Sequence, residues 1–324
     1  MKKAPYMVPQ SKKVRVIIDT DCHCEADDQY AVAHQLMTPK FDVMGITAIH
    51  YANRFNGLSA ADSMNRSFDE AQRIVDLMGL SGDVSVYRGC SEKLSDDISP
   101  VDSEASRFII DEAMKDDPRP LFIAAQGAVT NIASALLMSP GIAGRMTIIW
   151  IGGGEYPVGG LEFNTMNDPI AANILMDSSV ELWQVPRSVY CTMRVSFATL
   201  YDRVYPHGEL GKYLYEHLVE YSSNLSVPPA IREQFARNGM SAAAVSASYP
   251  GGESWSLGDS PVVGLMLTDH EGQYKMEGAP RFEPESCNYI LRPENPRKIR
   301  VYISIDSHFI LEDFFAKLKY HFGE

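Results

Sequence analysis

The chain has 324 residues and a formal net charge of −13, from 42 Asp and Glu against 29 Lys and Arg. That balance argues against a surface that tracks nucleic-acid phosphates or acidic lipid, and it favours a small neutral or cationic ligand. Five Cys, at 22, 24, 90, 191 and 287, include no zinc spacing, because Cys22-His23-Cys24 is too tight, so they read as free thiols in a reducing compartment.

At the N-terminus, MKKAPYMVPQSKK is basic and then polar without an apolar stretch, and no window of 18 apolar residues occurs anywhere. The expectation is a soluble, cytoplasmic protein with a flexible arm over residues 1–12 and a single domain spanning 1–324. Residues 14–18 are apolar and β-branched and run into Asp19, Asp21, Glu25, Asp27 and Asp28 before helical periodicity starts at Tyr30, which reads as strand, acidic loop, helix. Carboxylates crowded at a strand's carboxyl end repel one another unless a cation, a shared proton or solvent relieves them. A hard, oxygen-ligated cation is the simplest relief. The plain alternative is that Asp27 and Asp28 only cap the helix and favour its positive end.

Residues 42–49 read as a second buried strand with a polar exit, His50-Tyr51-Ala52-Asn53-Arg54, and a long helix follows over 60–78. Further on, the pattern predicts a strand at 84–87, a helix at 104–114, a strand at 121–125 and a helix ending at Met138. A strand at 146–151 containing a core Trp150 leads into Gly152-Gly153-Gly154, where backbone can approach a ligand closely. Asn167-Asp168-Pro169 opens a helix to Met176, ahead of a strand at 180–185. This alternation implies an α/β fold, a mostly parallel central sheet with helices on both faces. Residues 197–233 look helical, and the small, Gly- and Ser-rich stretch 238–258 suits a mobile loop over a site. Asp259-Ser260-Pro261 opens another helix, strands return near 287–291 and 300–305, and an amphipathic helix closes the chain over 311–322.

Taken in order, the acidic loop, Val129-Thr130-Asn131-Ile132-Ala133, Gly152-Gly153-Gly154, Glu162-Phe163-Asn164 and Asp259 resemble the nucleoside hydrolases, the inosine-uridine preferring type and its relatives. The likeness runs from about Lys13 to the closing helix. It implies a Rossmann-related fold, one Ca²⁺, a homo-oligomer (dimer or tetramer), and cleavage of the N-glycosidic bond of a ribonucleoside by water. Its partner would be a small-molecule nucleoside, with neither nucleic acid nor membrane involved. Carried over residue by residue, Asp21 would be metal ligand and general base, Asp28 a metal ligand, and Asp27 a partner of the ribose hydroxyls. Thr130 would offer its main-chain carbonyl to the metal and Asp259 its carboxylate. Glu162 and Asn164 would hold the sugar. The chemistry suits these residue types, because an oxocarbenium-like transition state needs an activated water, nearby negative charge and relief for the departing base.

Two departures stand out. The acidic loop holds five residues, Cys22 to Ala26, and is longer than the family's common form, so it must bulge. Gly258 stands where the better-known members carry a His that protonates the leaving base. Replacement candidates are His23, His50, Tyr51, Tyr156, Arg232, Tyr249 and Trp255, with Trp255 able to stack on a purine or simply to plug the core. Asn53 is placed to reach the ribose diol or to build a turn. Two other functions compete: a Ca²⁺-containing nucleoside or ribose binding protein without turnover, and a haloacid-dehalogenase-like phosphatase, which also begins with a strand and Asp-x-Asp but expects Thr or Val where His23 and Cys24 stand.

Overall fold

The computed structural model describes residues 1–224, 232, 241, 252–268 and 273–323. Strands β1 (Val14–Thr20), β2 (Phe41–Ala48), β3 (Val86–Tyr87), β4 (Leu121–Ala125), β5 (Thr147–Ile151) and β6 (Glu181–Val185) alternate with helices α1 (Asp28–Leu36), α2 (Ala60–Leu77), α3 (Glu104–Met114), α4 (Thr130–Met138), α5 (Phe163–Asn167) and α6 (Pro169–Asp177). After them come α7 (Arg187–Tyr190), β7 (Arg194–Ser196), α8 (Phe197–Arg203), α9 (Gly208–Asn224) and β8 (Ser254–Ser256). A helix at Pro261–Leu267 leads to β9 (Tyr274–Gly278), β10 (Arg281–Phe282), β11 (Tyr289–Ile290), β12 (Lys298–Tyr302) and a closing helix at Ser307–Phe322.

Eight strands form one sheet in the order β3-β2-β1-β4-β5-β6-β12-β9, parallel except for β9, which runs antiparallel to β12. Every residue of β1 is buried, as expected of a strand covered on both faces. Its side chains alternate between two cores: Val16 and Ile18 join one apolar cluster, Ile17 the other. Trp150 is fully buried and packs edge-on against Phe282, with its indole N–H on the Gly127 carbonyl at 3.2 Å. Because β1 has β2 on one side and β4 on the other, the connections after β1 and β4 depart in opposite directions. The crevice left at such a switch point is where ligands bind in open α/β sheets.

The expected elements appear with shifted ends, and the differences have local causes. At 84–87 only Val86 and Tyr87 form a strand, while Val84 bridges back to Ser81. β7 and β9 had no sequence signal, since β7 is three residues long and three of the five residues in β9 are Lys, Glu and Gly. Of the expected mobile loop 238–258, residues 254–256 are strand, paired antiparallel with β7. Residues 238–240 and 242–251 lie outside the described residues, as do 225–231 and 233 of the expected helical stretch. Two residues of the N-terminal segment touch the closing helix. Lys2 N–H bonds the His321 carbonyl at 3.2 Å, and Tyr6 meets Tyr320 edge to face. Among the described residues no helix is long and apolar enough to cross a membrane.

Candidate functional site

The sheet gathers its chemistry in one pocket at the carboxyl ends of β1, β4, β5 and β6, lined by Asp21, Glu25, Asp27, Asp28, Glu162 and Asp259 among others. Asp21 follows β1 directly, and its carbonyl accepts the Cys24 N–H at 2.7 Å, which turns the bulged loop so that Cys24 and Glu25 also reach the pocket wall. Gly127, after β4, makes the room: a Cβ there would sit 2.9 Å from the Asp21 carboxyl carbon. Asp27 precedes α1 but makes no capping hydrogen bond, so the plain helix-cap reading fails for it. Its carboxylate takes the Gly258 N–H instead. Asp28 is held by the Thr20 hydroxyl and, at 3.4 Å, by the Gln126 amide.

Burial first, and then the charges of Asp28, Asp27 and Glu25, hold the Asp21 carboxyl well above the ordinary carboxylate range. Burial likewise pushes Glu25 up to about 7 and Asp28 up to about 6, and it raises Asp27 and Asp259 strongly, with neighbouring carboxylates adding to both. Such a cluster ionises fully only against compensating positive charge. Asp27, Asp28 and Asp259 each offer a carboxylate oxygen, and the three lie within 4.8 Å of one another. Asp21 stands outside that triad, yet its Oδ2 is buried with no hydrogen-bond partner. A buried triad of hard oxygens beside an orphaned carboxylate oxygen fits a divalent metal ion, and an oxygen-only donor set suits Ca²⁺ or Mg²⁺ rather than zinc.

The opposite wall rests on Glu162, which caps α5. Its two oxygens accept from Asn164 N–H, Thr165 N–H, the Thr165 hydroxyl, Gly153 N–H and, at 3.1 Å, the Tyr190 hydroxyl. Those five donors saturate the carboxylate. Asn164 spends its amide N–H groups on the Gln126 and Ile151 carbonyls at 3.2 and 2.9 Å, which leaves its Oδ1 as the group it can offer. Tyr190 and Arg187, from the short helix α7, complete this wall together with Arg194. None of these three carried a sequence signal, because α7 has only four residues and its placing depends on β6 entering the sheet beside β5, while Arg194 opens the three-residue β7.

Gly258 explains itself through Tyr190. A Cβ at 258 would lie 3.0 Å from the Tyr190 ring and 3.2 Å from an Asp27 oxygen. The tyrosine thus fills the space that a side chain at 258 would need.

The remaining candidates divide. Trp255 lines the pocket from β8, with its ring edge-on to Tyr221 at 5.7 Å and its indole N–H unpartnered. His50 does not line it. It is fully buried, with Nε2 2.9 Å from the Thr130 hydroxyl, which in turn donates to Asp168 at 2.8 Å. Burial, with the Lys93 charge adding, pushes His50 down to about 3, so it is neutral and no proton donor. The Thr130 side chain is spent in that chain beneath the pocket, at the start of α4. Asn53 builds the turn, since its Oδ1 accepts the Phe55 and Asn56 N–H groups and its amide donates to Asn167 at 3.1 Å. The His23 ring stacks near Tyr51, and Tyr156 packs edge-on to Tyr289; like Arg232 they lie away from the pocket wall. Tyr249 is outside the described residues.

The family model described as inosine-uridine preferring nucleoside hydrolase matches residues 16–245. An inosine-uridine preferring nucleoside hydrolase of Crithidia fasciculata is 28% identical over 192 residues, covering 51% of this chain and 57% of that protein. The match therefore spans little more than half the length of that curated relative. Among solved structures, a purine-preferring ribonucleoside hydrolase from Gardnerella vaginalis superposes with a TM-score of 0.71 at 20% identity, covering 95% of this chain and 98% of that one. A plant nucleoside hydrolase gives 0.69 at 19%, covering 94% and 98%. At such identities these likenesses bear on the fold alone.

Proposed function

Because the chain belongs to the inosine-uridine preferring nucleoside hydrolase family, we propose that it hydrolyses the N-glycosidic bond of a ribonucleoside in a Ca²⁺-dependent reaction that releases ribose and a nucleobase. Family membership removes the phosphatase alternative. The observation that carries the reading is the orphaned, buried Oδ2 of Asp21 beside the Asp27, Asp28 and Asp259 triad. In the proposed site Asp28, Asp259, Asp21 and the Thr130 carbonyl would hold the cation, which would supply Lewis acidity and a template for a ribose diol. Asp21 takes a proton from water as the water oxygen bonds to C1′. The bond from C1′ to the base nitrogen breaks with its electron pair leaving on the base, which then needs a proton. Asp27 and the free Oδ1 of Asn164 accept from ribose hydroxyls and fix the sugar over the nucleophile. Glu162, saturated by protein donors, organises the wall instead of reaching the sugar directly.

No side chain at 258 can protonate the base, so the leaving group relies on solvent and on Tyr190 and Trp255, which frame the pocket. The test is cleavage of p-nitrophenyl riboside, inosine and uridine by the Ca²⁺-loaded protein. Faster turnover of the activated riboside than of the natural ones supports the reading. Tight binding with no cleavage of any of them would favour a binding protein.

A further inference from the structure

We propose that the substrate taken by this pocket carries an anionic group, phosphate or carboxylate, that the Arg187 guanidinium clamps. The proposal deepens the ribonucleoside reading above and rests on it. Arg187 opens α7 directly after β6, where its backbone N–H is tied to the Gly153 carbonyl at 2.9 Å, so its position is set by the sheet. The side chain is half-buried and lines the pocket. Several other arginines meet carboxylates directly: Arg15 at Glu112, Arg54 at Glu285, Arg119 at Asp42 and Asp117, Arg203 at Glu312. No carboxylate lies within ion-pair distance of Arg187 among the described residues. Its neighbours include the Tyr190 phenol and the Cys191 thiol, and the charges of Glu162 and Glu25 act on it from beyond ion-pair distance, so the fork has no direct carboxylate partner.

The neighbouring Glu162 does not pair with it either, because five other donors fill that carboxylate. Were Arg187 there only to balance the acidic cluster, a bond to Glu25 or Glu162 would be the expected geometry. What the pocket wall offers is a cluster of hard oxygens and, on the same wall lining, a planar fork with five N–H donors. A neutral nucleoside has no anionic group to give that fork. Arg194, exposed at the same pocket, adds positive charge beside that fork.

The test compares kcat/KM of the full chain with Ca²⁺ for inosine against inosine 5′-monophosphate, and for uridine against orotidine, in wild type, Arg187→Gln and Arg187→Lys. A phosphate-bearing substrate raises the first ratio and a carboxylate-bearing one the second. One of the two ratios is expected at about 10-fold or more, the scale of a charge-assisted hydrogen bond. It should collapse to within about 2-fold of unity in Arg187→Gln and survive in part in Arg187→Lys, which keeps the charge but not the fork. Ratios near unity in wild type, or a preference that persists in Arg187→Gln, overturn the proposal while leaving nucleoside hydrolysis standing. If none of the four compounds is cleaved, the hydrolase reading fails and calorimetric binding of the same four decides this one. Arg187-dependent preference for an anionic member supports it, and equal binding overturns it.

Discussion

Introducing a histidine at position 258 is the most direct trial of whether Tyr190 fills the space beside that glycine. The substitution Gly258→His puts a Cβ 3.0 Å from Cδ2 of Tyr190 and 3.2 Å from Oδ2 of Asp27 before any imidazole atom is counted. Both distances are tighter than ordinary van der Waals contact, and the obstacle is a half-buried ring hydrogen-bonded to Glu162, so the ring cannot swing away freely. Overpacking of this kind costs about 1 to 3 kcal/mol. In a chain of this size each kcal/mol lowers Tm by roughly 2 °C. The expected outcome is a single variant with lower Tm and no gain on inosine, and a Tyr190→Gly/Gly258→His double variant that is more stable than the sum of its two single changes predicts. A coupling of about 1 kcal/mol or more is the scale for residues that share one space. The assay pairs thermal unfolding with inosine and p-nitrophenyl riboside turnover for all four proteins. An unperturbed Tm in Gly258→His, or strictly additive effects, would refute the claim that Tyr190 occupies the space a side chain at 258 would need.

Replacing Asp21 by Asn should leave the fold intact and lower turnover by about 10² to 10⁴-fold, as removal of a general base does; an effect within a few fold would move the base to another group, with Glu25 first in line. The cation should show itself in stability: at 100 times its Kd, Ca²⁺ adds about 2.7 kcal/mol, visible as a fall in Tm on chelation that Asp259→Asn no longer shows. With the cation removed, the raised carboxyls of the cluster bind more protons in the folded than in the unfolded chain between about 4 and 7, the interval from ordinary carboxylates to Glu25 at about 7 and Asp28 at about 6, so the cluster's share of stability falls as pH rises through that window. Buried His34 and His50, held down to about 4 and about 3, work in the opposite direction with or without the cation, so the readout is the Tm gap between Ca²⁺-loaded and chelated protein: it should widen from pH 4 to 7, and a gap that narrows would contradict the electrostatics of the cluster. Trp255→Ala should cost about 3 kcal/mol or more as a large buried ring is lost, and should reduce turnover of natural nucleosides more than that of p-nitrophenyl riboside.

Much of this was legible in the chain because it is local. The β-branched run over 14–18 and the acids behind it specify a buried strand and a carboxylate cluster without reference to anything distant, and the Asn167-Asp168-Pro169 cap marks a helix start by itself. Trp150 was legible as core from the apolar run around it. What stayed hidden depends on meetings between distant segments. Asp27 and Asp259 join only when the helix at Pro261–Leu267 packs near α1, and Tyr190 reaches Glu162 only once β5 and β6 are neighbours. His50 misled for the opposite reason: a polar residue at a strand exit suggests a site, but the Thr130 hydroxyl that receives it comes 80 positions later and lies beneath the pocket.

The net charge of −13 describes the surface as a whole, and the proposed anionic substituent turns on the charges of one pocket. Read as a whole, the excess of acid favours a neutral or cationic partner, yet a ligand feels the few charges that surround it. Around the pocket stand Asp21, Glu25, Asp27, Asp28, Glu162 and Asp259, with Arg187 and Arg194 facing the same space. Five neutral donors hydrogen-bond Glu162 without cancelling its charge, and a divalent cation on the aspartates would offset two charges. Arg187 has no carboxylate within ion-pair distance among the described residues, although the charges of Glu162 and Glu25 act on it. In the proposed site selection is by orientation: the ribose diol is drawn towards the aspartates and an anionic substituent towards the fork. A nucleoside lacking that substituent is held at one end only, so its loss should fall on the precision with which C1′ is presented to the nucleophile as well as on binding, and kcat should suffer along with KM.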